Sequence, residues 1–460
     1  MADDPTVPTK WIAFVVVALG CVVILLTATW WHNSQLGVTP SIFRIEGDSM
    51  SPALMGLHSQ IHCTNCQFTL NVSMSPPAKA LVVCVNCGHQ FPYPQHATVV
   101  HGDVVELTPW EPNENRWDVV ALTVPGEPTK PIVKRLVGFP NESITIQDGE
   151  LYVNGRLQSK SKQQFDAVKT LVHDAKYIGR VEPRRWRTNG GWSWNSSDSL
   201  WTYDALKPTA NMPESASPDD WSWLEYQHSQ DFLGPRVPAP VPIMDVNSLD
   251  QWESRALHAV DDILVEVVFA IPTDRRHNNA MPSSDWILQL RHAAVTAELE
   301  IHVADQRMEL RINGQKEREW TANPTIRKIE LGLVDRRILL FGNDQEMAAV
   351  PCPAHGDSQE STSSATPVRI GVRGGKLKLT TLRLWRDVYW LPSDESRTEN
   401  HLRNDVLAAD QYFVLGDHAA RSRDSRWFGP VPKSNLLGRI QDVKPGKFEW
   451  KRQSLPLQNK

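Results

Sequence analysis

A mainly β protein carried on one N-terminal membrane-spanning helix is the fold class the sequence predicts, and three observations predict it. The first is an uncharged apolar run from Trp11 to Trp31. The second is the alternation of apolar and polar residues, broken by turn signals, between His101 and Val153 and again between Leu299 and Trp385. The third is a pair of Cys-x2-Cys steps, Cys63/Cys66 and Cys84/Cys87, of the kind that tie small β knuckles together.

The apolar run reads WIAFVVVALGCVVILLTATWW, 21 residues without a charge. At about 1.5 Å per residue it crosses a hydrocarbon core of about 30 Å, and tryptophans at both ends suit the two interfaces. A cleavable leader would need a basic start, a shorter core and a small-x-small site. Here Asp3 and Asp4 precede Lys10, and Trp30-Trp31-His32 follows, so an uncleaved anchor is expected. Lys10 lies on the short side and Arg44 is the first basic residue beyond, which places residues 1–10 in the cytoplasm and the rest outside.

A chain of 460 residues exceeds one core. The net charge of -5 shows no basic excess, so nucleic acid is not an expected partner. Of 18 tryptophans, Trp186, Trp192, Trp194, Trp201, Trp221 and Trp223 crowd one region. Such clusters bind sugars or peptides in some proteins, but core packing is the expectation here.

Between the two cysteine pairs lie 17 residues, the spacing of a four-cysteine zinc site. Each pair offers two thiolates to one tetrahedral ion, and Gly88 suits the knuckle turn. Four thiolates leave no open position, so one structural zinc ion is expected and no catalytic cofactor. Two disulfides are the rival reading outside the cytoplasm. Cys21 lies in the apolar run and Cys352 stands alone.

After the cysteines, His101–Leu107, Trp117–Leu122, Ile132–Val137 and Ser143–Val153 read as short strands, with Asp148-Gly149 and Asn154-Gly155 as turns. From Ser161 to Asp250 the chain is rich in Pro, Trp, Asn and Ser, with little periodicity. Alternation resumes with Leu299, Ile301 and Val303, then Met308, Leu310 and Ile312, closed by Asn313-Gly314. Further strands run through Ile329–Leu333, Ile338–Leu340, Val368–Gly375 and Leu377–Trp385, which indicates a β-sandwich. This part resembles the concanavalin-like jelly rolls and carries no functional motif.

Ser49, in Glu46-Gly47-Asp48-Ser49-Met50-Ser51-Pro52, follows closely after the apolar run. A serine hydroxyl needs a base to become a nucleophile, and a lysine kept neutral by burial can be that base. Lys134, in the apolar strand around Ile132-Val133, is suited to that role. The esterase G-x-S-x-G fails because Ser51 takes the last glycine's place. The G-D-S-G-G pattern fails at Met50 and Ser51.

Three segments together resemble the bacterial type I signal peptidases, a family of serine/lysine endopeptidases. Their S-M-x-P-T-L box is similar to Ser49-Met50-Ser51-Pro52-Ala53-Leu54. Their lysine box is similar to Lys134-Arg135-Leu136-Val137-Gly138-Phe139-Pro140-Asn141-Glu142, continuing into Gly149-Glu150-Leu151-Tyr152-Val153-Asn154-Gly155. Their third box, G-D-N-R-x-x-S-x-D-S-R-x-x-G, is similar to Gly416–Gly429. The resemblance implies Ser49 as nucleophile and Lys134 as general base, with Ser422 hydrogen-bonded to the lysine amine. It also implies Asp417 paired with Arg135, Asp424 paired with Arg426, Met50 on an apolar wall, and the Ser49 N–H as an oxyanion donor. Departures are Gly47 where some members carry a serine, His418-Ala419 for Asn-Arg, and Ala53 for threonine.

The expected organisation is a cytoplasmic tail at 1–10, the anchor at 11–31 and a first catalytic part at 40–58. A zinc-ribbon-like insertion follows at 59–97, then a second catalytic part at 98–160. A Trp- and Pro-rich irregular insertion at 161–250 and a β-sandwich insertion at 251–392 lead to a third catalytic part at 393–450. The expected function is removal of signal peptides from exported preproteins, after small residues, on the outer side of the plasma membrane. Membrane lipid and the translocation machinery are the other expected partners. The alternatives are a catalytically inactive binding protein on the same scaffold and a soluble self-cleaving regulator, against which the anchor counts.

Overall fold

The computed structural model describes residues 41–110, 115–181, 184–205, 220–230, 239–270, 284–292, 295–352, 364–390 and 406–446. The expected anchor, Trp11 to Trp31, lies outside them. Among the described residues no helix is long and apolar enough to cross a membrane. The protein is mainly β.

One antiparallel sheet gathers segments from both ends of the described chain. Its seven strands run in the order Ser41–Arg44, Val104–Pro109, Leu436–Lys444, Val119–Val124, Glu127–Gly138, Gln411–Leu415 and Val431–Pro432. Alternating apolar residues face small cores on its two sides, Val120, Leu122, Leu136 and Val414 in one and Met50, Leu54, Val105 and Val133 in another. Beside it lies a three-stranded meander, Ile144–Gln147, Glu150–Val153 and Arg156–Leu157. Asp148-Gly149 and Asn154-Gly155 have positive φ at both positions, the conformation a tight two-residue hairpin requires.

The sandwich pairs an eight-stranded with a seven-stranded sheet. Strand Val295–His302 shows why these residues fold so: Val295, Ala297, Leu299 and Ile301 point into the core while their neighbours stay half-exposed. The first strands of the sandwich lie in the stretch from 161 to 250, which is not a separate irregular insertion. Thr170–Asp174 pairs with Lys376–Arg386, Leu200–Asp204 pairs with that same strand, and Ser222–Tyr226 pairs with Val368–Arg373. Trp186, Trp192 and Trp201 are buried in this core. Trp221 and Trp223 instead lie on an outer face, stacked against Arg373 and Arg369. A single helical segment, Lys162–Val168, opens the sandwich, with Ser161 and Gln164 forming a capping box.

Lys160 joins the meander to the sandwich. It is buried, with Nζ 2.5 Å from Asp335 and 2.8 Å from Asp387, and it faces the rings of Trp117 and Trp390. Glu150 and Asp262 complete this acidic cluster. Its resident cation is the lysine ammonium: burial alone would lower the Lys160 pKa, but Asp387, Asp335 and Glu150 outweigh it and push it up.

The four cysteines sit in a small unit of their own, with strands Thr69–Val72, His58–His62 and Thr98–Val100 beside the hairpin Leu81–Val83 and Gln90–Pro92. Ile61, Leu70, Val72, Val82 and Phe91 close around them.

Candidate active site

Strand Ser41–Arg44 delivers the chain to a loop in which Ser51 N–H donates to Asp48 O at 3.0 Å and Leu54 N–H to Met50 O at 2.9 Å. These bonds turn Ser49 outward, half-exposed, while Met50 is buried against Ile45, Leu54 and Val133. Gly47 is exposed, and a Cβ built there would meet nothing within 4 Å.

Strand Glu127–Gly138 lies inside the sheet, between Val119–Val124 and Gln411–Leu415, and its residues from Val133 to Gly138 are buried. Lys134, only 2% exposed, places Nζ 2.6 Å from Ser49 Oγ and donates to Val133 O at 3.0 Å. Burial brings its pKa down to about 8, against the opposing carboxylates of Asp424, Asp417 and Asp48. At that value about a tenth of the amine is neutral at pH 7, against well under a thousandth for an ordinary lysine.

The third segment braces the lysine strand. Arg135 and Asp417 form a fully buried bidentate pair, with Nε 2.6 Å from Oδ1 and a second contact at 2.5 Å. Asp424 caps the short helix Ser425–Phe428, accepts the Gly416 N–H at 2.8 Å and pairs with Arg426 at 2.7 Å. Burial alone would raise the Asp424 pKa, but Arg426 and these hydrogen bonds hold it below the ordinary carboxylate range. Ser425 Oγ accepts the Val414 N–H at 3.0 Å, and His418 N–H donates to the Ser49 carbonyl at 3.0 Å.

Ser422 differs from its expected bond to the lysine amine. Its hydroxyl packs over Gly416, where a Cβ would collide with it, and lies beside Asp424, whose carboxylate it helps to hold ionised. The amine instead uses Ser49 and the Val133 carbonyl. The sequence alone assigns no role to Asp48, His418 or Arg421. Arg421 contacts Asp48 at 2.6 Å and Glu253 at 2.8 Å, and no motif in the sequence marks that distant glutamate as a partner.

The four cysteines carry no disulfide. Sulfurs held about 2.3 Å from a central tetrahedral ion lie about 3.8 Å apart. Cys63 and Cys87 Sγ are 3.7 Å apart, as are Cys66 and Cys84, so the donor set fits zinc. Asn65 and Asn86 turn their amide Nδ2 toward Cys87 and Cys66 at 3.7 and 3.9 Å, support of the kind that orients metal thiolates.

The family described as "Signal peptidase, peptidase S26" matches residues 9–184 and 348–443, together more than half of the chain. The protein belongs to that family. The unmatched stretch, 185–347, holds most of the sandwich strands. A curated relative, Signal peptidase I of Haemophilus influenzae, is 27% identical over 108 residues, 22% of this chain and 30% of that protein. The chain therefore spans about a third of the length of the curated relative it matches. Solved structures similar in part include a carbohydrate binding module from Bacillus subtilis, at 9% identity and TM-score 0.26 over 44% of this chain and 94% of that one. A non-specific endo-β-1,3(4)-glucanase is similar at 10% identity and TM-score 0.31 over 54% of this chain and 97% of that one.

Proposed function

We propose that this protein is a membrane-anchored serine endopeptidase that removes signal peptides from exported preproteins, with Ser49 as nucleophile and Lys134 as general base. The observation that carries the reading is the 2.6 Å contact between Ser49 Oγ and a buried lysine amine. Neutral Lys134 Nζ takes the Ser49 proton as Oγ attacks the scissile carbonyl, and the resulting ammonium returns it to the leaving amine. The products of this half are a free mature N-terminus and a signal-peptide ester on Ser49. Water then attacks the ester, Lys134 again carries the proton, and the signal peptide leaves as a carboxylic acid. The Ser49 N–H donates to the oxyanion. Asp417–Arg135 and Asp424–Arg426 fix the strand and loop on either side of the amine, and Met50 shapes an apolar wall.

Anchoring through residues 11–31, with the catalytic sheet on the outer side of the plasma membrane, would confine the serine to the depth where signal peptides emerge. The translocation machinery would be the neighbour that supplies them. One zinc ion on Cys63, Cys66, Cys84 and Cys87 would fold and stiffen the ribbon, with no position left for substrate. Cleavage of a preprotein in detergent tests the reading. Ser49→Ala and Lys134→Met are expected to lose at least about 10⁴-fold in kcat/KM. A Ser49→Ala protein that still cleaves would contradict it, as would a wild type that binds preprotein without cleaving.

A further inference from the structure

The residues around the nucleophile are bonded to a part of the chain that none of the three motifs includes. Arg421 contacts Asp48, the neighbour of Ser49, at 2.6 Å, and with the same guanidinium it reaches Glu253 at 2.8 Å and the Leu249 carbonyl at 3.1 Å. His418, whose N–H holds the Ser49 carbonyl, stands with Nε2 3.5 Å from Asp250. Both contacts end on one short loop.

The other side of that loop is fastened to the cysteine ribbon. The Gln251 amide makes both hydrogen bonds to the backbone of Val83, accepting its N–H at 2.9 Å and donating to its carbonyl at 2.8 Å. Trp252 Nε1 donates to Leu81 O at 3.1 Å. Val83 precedes Cys84, so this grip falls on the strand that enters the second knuckle. The loop itself is stiff: Arg255 ties Asp245 and Asp250 at 2.7 and 3.0 Å, and the Asn247 side chain accepts the Leu249 N–H at 3.0 Å. A braced element held at two ends passes a displacement on instead of absorbing it.

We propose that residues 247–253 form a positioning strap that ties the Ser49 loop to the four-cysteine ribbon, so that the metal state of the ribbon sets how the nucleophile is held. The proposal rests on the serine/lysine reading above for its effect on cleavage, though not for the coupling itself. Gln251, Glu253, Asp250 and Arg421 are positioning residues, since none reaches the reacting atoms. Arg421 has a second effect. It neutralises Asp48, one of the charged groups facing Lys134 together with Asp417, Asp424 and Arg426. An unpaired Asp48 would favour the ammonium form of Lys134 more strongly.

Hydrogen exchange and preprotein cleavage on the full-length protein in detergent, with its metal, test the coupling. Gln251→Ala removes the grip on Val83, and Gln251→Glu keeps the acceptor for the Val83 N–H while setting a carboxylate oxygen against the Val83 carbonyl. Both are expected to speed exchange in residues 46–54, about tenfold for the alanine, while residues 295–312 of the sandwich stay protected. The kcat for cleavage falls with little change in KM. Removing metal from the wild type with a chelator has the same effect on residues 46–54, and adds nothing further in Gln251→Ala. Arg421→Gln moves the half-activity pH upward and Arg421→Lys restores it. Unchanged exchange at 46–54 in both Gln251 variants overturns the strap, as do fully additive effects of chelation and substitution. If the wild type shows no Ser49-dependent cleavage, the peptidase reading fails, while the exchange data still decide the coupling.

Discussion

Lys134 is expensive to bury and useful for that reason. An ammonium in the interior loses its hydration, and a fall from 10.5 to about 8 corresponds to about 3 kcal/mol of preference for the neutral amine. The apolar setting of this lysine was legible in Ile132-Val133. What was not legible is that Asp48 joins Asp417 and Asp424 around the amine, and that all three oppose the burial effect. Gly47 supplies a prediction at the same scale. Open space around its Cβ position leaves room for the hydroxyl that some family members carry there. Gly47→Ser is expected to raise kcat severalfold by adding an oxyanion donor, read by steady-state cleavage at fixed pH. An unchanged or lower kcat would show that the added hydroxyl does not reach the oxyanion.

Among the elements, hairpins announced themselves where turn chemistry was local. Asn313-Gly314 closes Arg307–Ile312 onto Gln315–Thr321 as its sequence requires, with both residues at positive φ. The sandwich strands between residues 170 and 226 did not announce themselves. They are short, Thr170–Asp174 carries a register shift between Leu171 and His173, and their partners lie far along the chain. Tryptophan bulk that read as irregular composition is what fills the core beneath them.

The junction around Lys160 carries a pH prediction. Burial raises the pKa of Glu150 to about 7 and that of Asp387 to about 6, with neighbouring carboxylates adding to it and Lys160 opposing it. The folded state therefore holds protons that the unfolded chain has already released. Stability from these groups is fully present below the ordinary carboxylate pKa of about 4 and is lost progressively as pH rises from there through about 6 for Asp387 and about 7 for Glu150. Thermal unfolding at pH 5.5 and 8 should show the wild type more stable at the lower pH at this junction, with the difference reduced in Glu150→Gln. A difference unaffected by that substitution would place the dependence elsewhere. The cysteine ribbon is tested by elemental analysis: one zinc per chain is expected, lost in Cys84→Ser together with a lower Tm. Metal-free wild type with disulfide-bonded cysteines would contradict the four-thiolate reading.

In the molecule as a whole, the sheet that carries Lys134 is assembled from pieces separated by two long excursions. Strand Gln411–Leu415 pairs with the lysine strand across the entire sandwich, Leu415 opposite Arg135 and Val414 opposite Leu136. Motif order in the sequence anticipated this closure, because a lysine box and an acidic box are of no use to Ser49 unless they meet. The excursions' contacts with the site were hidden, since Arg421–Glu253 and Gln251–Val83 join residues by side-chain reach and not by pattern. The proposed chemistry requires that Lys134 be the group whose ionisation limits cleavage. The pH dependence of kcat/KM for a preprotein measures this most directly. A rise with pH to half its plateau at about 8, abolished in Lys134→Met, is the expected result. Full activity at pH 5, or cleavage that persists undiminished in Lys134→Met, would contradict it.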